Sequence, residues 1–246
     1  MARDLGNLPS NDLKPKDLAE VAELIIVSMC FVYGSACVCV QSLIVDKELA
    51  RELRNELKLR GAYFCTPAES DRLSKVIFLG KQRMNPNRVG QSPNVLAELA
   101  EFSIPPKTRI LVSEEKEIGW HRPLSAEKLN PVLAFYVAND EEHGLELSNQ
   151  IARFEGWGHS SVVHSNDPEV IARFSRIPTG RVLVNTPAIL GGMGYSTDLE
   201  PSFMLGTGTW SGSITSDNVT ALHLINIKRV AYESRPWRDI YDEYGE

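Results

Sequence analysis

Short apolar segments alternate with amphipathic helical segments along most of this 246-residue chain. Apolar residues at helical spacing predict helices over residues 15–30, 46–60, 94–101, 141–155 and 168–176, and a further helix starting near residue 67. Apolar runs between them predict strands over residues 38–45, 109–113, 132–138, 160–164 and 181–185. Because parallel strands need long crossover connections, the alternation predicts an α/β fold with a mostly parallel sheet flanked by helices.

Local signals mark where several segments begin and end. Thr66, Pro67 and Glu69 have the form of a capping box with proline in the first turn, so a helix should start there. Gly61 stands where a glycine would end the preceding helix. Residues 6–9, which include glycine, asparagine and proline, are predicted to form a loop.

The segment over residues 25–46 places a cysteine at the junction between two elements. It runs from the end of a helix, through a Gly/Ser turn that contains Cys37, into an apolar strand. A cysteine held rigidly in such a turn can expose its sulfur to a cleft and act as a nucleophile. Free cysteine is also among the most buried residue types, so this segment alone favours a buried structural cysteine over a nucleophile.

The composition argues against several classes of function. The formal net charge is −6, and the absence of a basic block argues against nucleic-acid binding. No apolar run is long enough to span a bilayer, and the N-terminal residues lack the apolar core of a secretory signal. We therefore expect a soluble protein with no nucleic-acid partner and no membrane partner.

The distribution of the cysteines favours a reducing compartment. Cys30, Cys37 and Cys39 lie close together and Cys65 stands apart, which is unlike the disulfide framework of a secreted domain. A cytoplasmic location fits this pattern better. Cys37 and Cys39 could supply half of a metal site, but no second cysteine or histidine pair has ligand spacing, so no metal is expected.

Seven segments of the chain carry recognisable motifs. They span residues 31–42, 61–64, 89–92, 127–134, 158–161, 185–194 and 205–228. In order and spacing they resemble the CoA-acylating aldehyde dehydrogenases, which include the aldehyde dehydrogenase part of the bifunctional aldehyde-alcohol dehydrogenases. The resemblance extends over nearly the whole chain and implies an aldehyde dehydrogenase-like catalytic domain.

The resemblance also implies a domain organisation. Residues 1–231 would form the catalytic domain, with the family's N-terminal NAD-binding domain largely missing, and residues 232–246 would form a C-terminal tail. In the wider superfamily an edge strand pairs between subunits. The implied macromolecular partners are therefore further copies of the chain in a homo-oligomer, or a separate NAD-binding domain.

The family's chemistry assigns a role to Cys37 by resemblance. In the family a cysteine thiolate attacks an aldehyde to form a thiohemiacetal. Hydride transfer to NAD, or to NADP, leaves a thioester, and the thiol of CoA then takes the acyl group. Cys37 would be this nucleophile, and its backbone N–H would form part of the oxyanion hole. The chain would then interconvert a small aldehyde and its acyl-CoA.

The matched motifs supply further candidate site residues. Glu127 matches the carboxylate that hydrogen-bonds the nicotinamide ribose, and the alternative is a solvated loop carboxylate without a functional role. His159 matches a histidine near the site, which could act on a proton or on CoA, or could instead order its loop through hydrogen bonds. The wall behind the aldehyde is expected to contain Asn185, Thr186, Pro187 and Gly192.

The chain departs from the family near the nucleophile. Val32 and Val40 stand where carboxylates are usual, Cys30 where threonine is usual, and Ser211 where glycine is common. More apolar surroundings leave less of a thiol in the reactive thiolate form. Two other functions are therefore open: a truncated, non-catalytic paralogue that serves as an assembly or regulatory module, and a cysteine-dependent acyl-transfer enzyme without redox chemistry.

Overall fold

The computed structural model describes residues 4–8, 15–80 and 82–244. Its helices and strands, in chain order, are β1 (Asp4–Leu8), α1 (Pro15–Cys30), β2 (Val40–Asp46), α2 (Lys47–Leu59), β3 (Ala62–Phe64), α3 (Pro67–Ile77), β4 (Phe78–Leu79), β5 (Arg83–Met84), α4 (Pro93–Leu99), β6 (Ile110–Glu114), β7 (Val132–Ala138), α5 (Glu141–Ile151), β8 (Ser160–Val163), α6 (Pro168–Phe174), β9 (Arg181–Val184), α7 (Ala188–Gly192) and α8 (Trp237–Tyr244). In this described part of the chain, no helix is both long enough and apolar enough to cross a membrane.

Seven of the strands form one sheet in the order β3-β6-β7-β2-β1-β8-β9, and each neighbouring pair in it is parallel. β4 and β5 form a separate antiparallel pair. The predicted fold class, an α/β fold with a mostly parallel sheet flanked by helices, is confirmed. Because the seven strands run in one direction, the loops that precede them meet at one edge of the sheet, which we call the amino edge.

Helices cover both faces of the sheet, and side chains of the central strands alternate between two cores. In β2, Leu43 and Val45 pack with α1 and α2, whereas Ile44 packs with α5. In β7, Phe135 belongs to the first core and Tyr136 to the second. All five side chains are buried. Burial on both faces explains why these strands are continuous apolar runs in the sequence.

The predicted boundaries around α2 and α3 are confirmed. The Glu69 N–H donates to the Thr66 hydroxyl, and the Thr66 N–H donates to the Glu69 carboxylate, which completes the capping box of α3. Gly61 follows α2 with a φ of 93°. Glycine adopts this left-handed conformation at lower cost than any other residue, so it suits the end of a helix.

The predicted loop over residues 6–9 is wrong for the residues that the structure describes. Asp4–Leu8 forms β1, which pairs with β2 on one side and with β8 on the other. Pro9 lies outside the described residues. Glycine and asparagine are unfavourable in strands, but here two neighbouring strands supply pairing partners that override the local preference.

The helix predicted over residues 141–155 ends earlier. α5 stops at Ile151, and Ala152–Gly156 continues as a π-helical turn. Such turns are rare and often occur at functional sites. The sequence does not predict β1, β3, β4, β5, α7 or α8. Among these, β3, β4 and β5 have three residues or fewer, which is too short to show a periodic pattern.

Candidate active site

Three of the predicted site residues precede parallel strands and therefore lie at the amino edge. Cys37 comes three residues before β2, Glu127 five residues before β7, and His159 immediately before β8. β2 pairs directly with β7, and β1 alone separates β2 from β8. The fold thus places at one edge of the sheet the three residues predicted to act as nucleophile, cofactor ligand and catalytic histidine.

Cys37 is exposed in a tight turn between α1 and β2. The Cys39 N–H donates to the Ala36 carbonyl and closes this turn around Cys37. Cys39 itself is buried. Because reactivity requires access as well as thiolate character, the contrast favours Cys37 as the reactive thiol.

The residues that lead into this turn adopt an unusual backbone conformation. Val32, Tyr33 and Gly34 have φ values of 46°, 51° and 67°. The left-handed region is unfavourable for branched and bulky residues and is better tolerated by aspartate or asparagine. Val32 and Tyr33 are also more than half exposed. The departure from the family at Val32 therefore adds both backbone strain and an exposed apolar side chain close to Cys37.

Gly34 joins the Cys37 turn to the loop that leads into β7. A Cβ atom built on Gly34 would lie 2.6 Å from the carbonyl oxygen of Asn130. In the same loop, the Leu129 carbonyl accepts a hydrogen bond from the Gly90 N–H. The two loops are thus in direct contact, and the contact requires a residue without a side chain at position 34.

Replacing Gly34 by alanine is expected to destabilise the protein by about 2–3 kcal/mol, because the methyl group adds a steric clash to the cost of the left-handed backbone. Gly80→Ala is the matched control, since Gly80 has a φ of 65° and a methyl group added there would meet no atom within 4 Å. The Gly80→Ala variant should be destabilised by only about 1 kcal/mol. Urea unfolding measures both values, and equal losses would contradict a role for the contact with Asn130.

Lys128 is fully buried and ties the Glu127 loop to β2. Its Nζ atom donates hydrogen bonds to the carbonyl oxygens of Gln41 (3.0 Å), Leu124 (2.9 Å) and Ala126 (3.0 Å). Its backbone N–H donates to the side-chain oxygen of Gln41. Since Gln41 is the second residue of β2, one lysine connects the loop of the predicted cofactor ligand to the strand that follows the cysteine turn.

Glu127 is buried beside a cavity at the amino edge. Its backbone N–H donates to the Glu155 carboxylate at 3.0 Å. Both glutamates line a cavity of about 320 Å³, whose walls also include Phe78, Met84 and Trp120. A carboxylate accepts hydrogen bonds from hydroxyl groups, and apolar rings can cover a planar heterocycle. Glu127 therefore fits the group that it is predicted to bind, the ribose of a nicotinamide nucleotide.

His159 is buried at the amino end of β8. Its burial, and secondarily the positive charge of Arg181, lower its pKa to about 3. The imidazole is therefore neutral at physiological pH, and it can donate or accept a hydrogen bond but does not carry a proton to release near pH 7. The catalytic assignment of His159 stays a prediction, with hydrogen bonding as the role that its protonation state favours.

Arg181 holds a glycine-rich loop over the amino edge. Its guanidinium donates to the carbonyl oxygens of Gly206 (2.7 Å) and Ser216 (2.9 Å). At Gly158 the carbonyl of Thr207 leaves no room for a side chain. The loop is therefore packed against the residue that precedes the buried histidine, and it closes this side of the site.

His164 follows β8 at the opposite edge of the sheet, and burial lowers its pKa to about 4. The unfolded chain titrates near pH 6.5, so between pH 6.5 and 4 the unfolded state binds more protons. The contribution of His164 to the free energy of unfolding is therefore fully present above pH 6.5. It is lost as the pH falls through this window, and the loss from His164 alone is about 3 kcal/mol. Urea unfolding at pH 7.5 and 4.5 should show that the free energy of unfolding changes less with pH in His164→Gln than in the wild type. An equal change in the two proteins would contradict the lowered pKa of His164.

The predicted substrate-binding residues are divided between the two edges. Asn185, Thr186 and Pro187 follow β9, about 13 Å along that strand from the amino edge. The Asn185 amide donates to a carbonyl in the loop after β8. Gly192, at the end of α7, returns towards the cysteine turn, and a Cβ atom there would lie 2.5 Å from Val38. The structure thus brings Gly192 near the turn and not the other three, whose role stays a prediction.

Three polar residues at the amino edge are absent from the candidates that the sequence provides. Lys128 lies inside a matched motif, and Arg181 is a charged residue at the start of a buried strand. Charged residues are rarely buried without a specific role, so both could have been chosen as candidates from the sequence. Glu155 could not, because a glutamate near the end of a predicted helix is usually exposed to solvent. Its contact with Glu127 arises only from the tertiary fold.

A parallel α/β domain with an exposed cysteine, a buried carboxylate and a buried histidine at its amino edge has the arrangement expected of an aldehyde dehydrogenase catalytic domain. Comparison with known proteins supports this class of protein. The chain is 35% identical over 236 residues to aldehyde-alcohol dehydrogenase 2 of Entamoeba histolytica, and the match covers 92% of this chain and 27% of that protein. An acetylating aldehyde dehydrogenase from Geobacillus thermoglucosidasius is 37% identical with a TM-score of 0.90, over 96% of this chain and 51% of that one. The resemblance to the CoA-acylating aldehyde dehydrogenases is confirmed.

A more distant structure shares the fold. It is a propionaldehyde dehydrogenase from Rhodopseudomonas palustris with bound CoA and an acylated cysteine, at 19% identity and a TM-score of 0.74, over 87% of this chain and 47% of that one. The chain thus spans only 27% to 51% of the length of these three proteins. No family model matches the chain.

Proposed function

We propose that the chain is the catalytic domain of a CoA-acylating aldehyde dehydrogenase, in which Cys37 carries an acyl group between an aldehyde and CoA. The observation that carries this proposal is the exposed Cys37 at the same sheet edge as the buried Glu127 and His159. The similarity to acetylating aldehyde dehydrogenases supports it. Residues 1–231 would form this domain, and the segment after them, which contains α8, would form the tail.

The chemistry assigned to Cys37 has three steps. Its thiolate attacks the carbonyl carbon, a C–S bond forms, and the Cys37 N–H donates to the oxygen that takes the negative charge. A nicotinamide nucleotide, when bound, supplies the hydride acceptor, and loss of hydride leaves a thioester on Cys37. The thiolate of CoA then attacks this thioester, so a C–S bond to CoA forms as the bond to Cys37 breaks and its thiolate is restored.

The buried carboxylate of Glu127 supports the choice of NAD or NADP as the cofactor. In this proposal Glu127 orients the ribose next to the nicotinamide, and the neutral His159 donates or accepts a hydrogen bond at the reacting centre or at CoA. Gly192 packs closely against Val38 beside the cysteine turn, and in this proposal it forms part of the wall behind the aldehyde. A nucleophilic thiol must stay reduced, so the proposed location is the cytoplasm.

The C-terminal third of the chain supports association with another protein. It exposes large apolar side chains that a single copy does not cover, among them Phe203, Met204, Leu222, Leu224, Ile227 and Trp237. β9 also ends one side of the sheet, and an edge strand can pair with another chain. We infer that these surfaces contact further copies of the chain or an NAD-binding domain, since exposed apolar patches of this kind mark interfaces.

The proposed function is tested by incubating the purified chain with an aldehyde, CoA and NAD, or NADP in parallel, and following the absorbance of the reduced nucleotide. The proposal predicts that sustained formation requires all three reactants. Without CoA the signal should stop after one turnover per Cys37, because the thioester is not discharged. A reaction that continues unchanged without CoA would contradict the acylating mechanism. Acylation of Cys37 from acyl-CoA without hydride transfer would favour simple acyl transfer instead.

A further inference from the structure

We propose that Glu155 is a positioning residue for Glu127: it holds the backbone of the loop that presents the cofactor carboxylate, and thereby sets the affinity for the nicotinamide nucleotide. This inference rests on the function proposed above. Its basis is the hydrogen bond from the Glu127 N–H to a Glu155 carboxylate oxygen at 3.0 Å. The two residues also line the same cavity.

The loop is held at two consecutive backbone positions. The Glu127 N–H is bound by the Glu155 carboxylate, and the Lys128 N–H is bound by the side-chain oxygen of Gln41. The two acceptors come from different elements, the π-helical turn at Ala152–Gly156 and the strand β2. Fixing both peptide units limits the backbone rotations on either side of the Glu127 Cα atom. The direction of the Glu127 Cα–Cβ bond, from which the carboxylate extends, is thereby restricted before any cofactor binds.

The local structure holds Glu155 in place. It lies in the π-helical turn, where the backbone departs from the path that a continued α5 would take. The adjacent Phe154 packs edge-on against Trp120 with ring centroids 5.4 Å apart, and Trp120 packs in the same manner against Phe78 at 6.1 Å. These rings immobilise the turn against the cavity wall, so the Glu155 carboxylate is presented to the Glu127 N–H from a rigid support.

The role depends on an acceptor oxygen, which a glutamine also provides. Glu155→Ala is therefore expected to raise KM for NAD about tenfold with kcat changed less than about twofold, because the loop must then be ordered during binding. Glu155→Gln should stay close to wild type. In a Glu127→Gln background, Glu155→Ala should have little further effect on KM, since it acts through Glu127. Glu146→Ala, an exposed glutamate on α5, is the matched control.

Three kinetic results would overturn the inference: an unchanged KM in Glu155→Ala, a Glu155→Gln variant as impaired as Glu155→Ala, or fully additive effects of the two glutamates. Exchange of the Glu127 amide hydrogen, followed by NMR, is the readout that does not depend on turnover. Protection should be lost in Glu155→Ala and kept in Glu155→Gln. Equal protection in wild type and Glu155→Ala would overturn the positioning role even in an active enzyme. An inactive wild type with these protection differences would instead contradict the proposed function.

Discussion

Replacing Cys37 by serine is expected to lower aldehyde- and CoA-dependent reduction of NAD by at least about 10³-fold, because a serine hydroxyl is a far poorer nucleophile than a thiolate and no other exposed cysteine lies in the described part of the chain. The substitution changes a single exposed atom, so the free energy of unfolding should change by less than about 0.5 kcal/mol. Steady-state kinetics and urea unfolding on the same preparation separate chemistry from folding.

Cys30→Ser is the matched control for this experiment. Cys30 is half-buried, its Sγ atom lies 3.8 Å from the carbonyl oxygen of Arg109, and burial raises the pKa of its thiol. A buried thiol of this kind is largely protonated and unreactive. Activity should therefore survive in Cys30→Ser. Full activity in Cys37→Ser, or loss of activity in Cys30→Ser with an intact fold, would contradict the assignment of the nucleophile.

Replacing Lys128 by methionine is expected to destabilise the protein by about 3–5 kcal/mol, because three buried carbonyl oxygens lose a charged donor and find no substitute. Methionine keeps much of the side-chain volume, so the loss reports the hydrogen bonds more than packing. The exposed Lys47, at the start of α2, is the matched control, and Lys47→Met should change stability by less than about 0.5 kcal/mol. Denaturant unfolding checks both values, and similar effects of the two substitutions would contradict a structural role for Lys128.

The central architecture is predictable from local sequence because its strands are buried on both faces. The apolar run at Val132–Ala138 is predicted with the bounds that the structure has. Gly61 correctly marks the end of α2, and Thr66 correctly marks the start of α3. β1 is not predictable in this manner. Its glycine and asparagine favour a loop, and its position in the sheet depends on pairing with strands far away in the sequence.

Part of the candidate site can likewise be predicted from the sequence, and part of it cannot. Once the strands are known to be parallel, the residues before them must meet, so Cys37, Glu127 and His159 could be placed at one edge from sequence and topology. The protonation state of His159 could not, because its low pKa depends on burial and on Arg181. Glu155 also escapes prediction, since its role depends on a π-helical turn and on a contact between distant segments.

The assignment of Cys37 as the residue that carries the acyl group is tested most directly by mass spectrometry. The chain is incubated with acetyl-CoA alone, then digested, and the acetylated residue is located. We expect one acetyl group on Cys37, removed by added CoA and absent from Cys37→Ser. A folded protein that acquires no acetyl group, or acquires it only on another residue, would contradict the assignment.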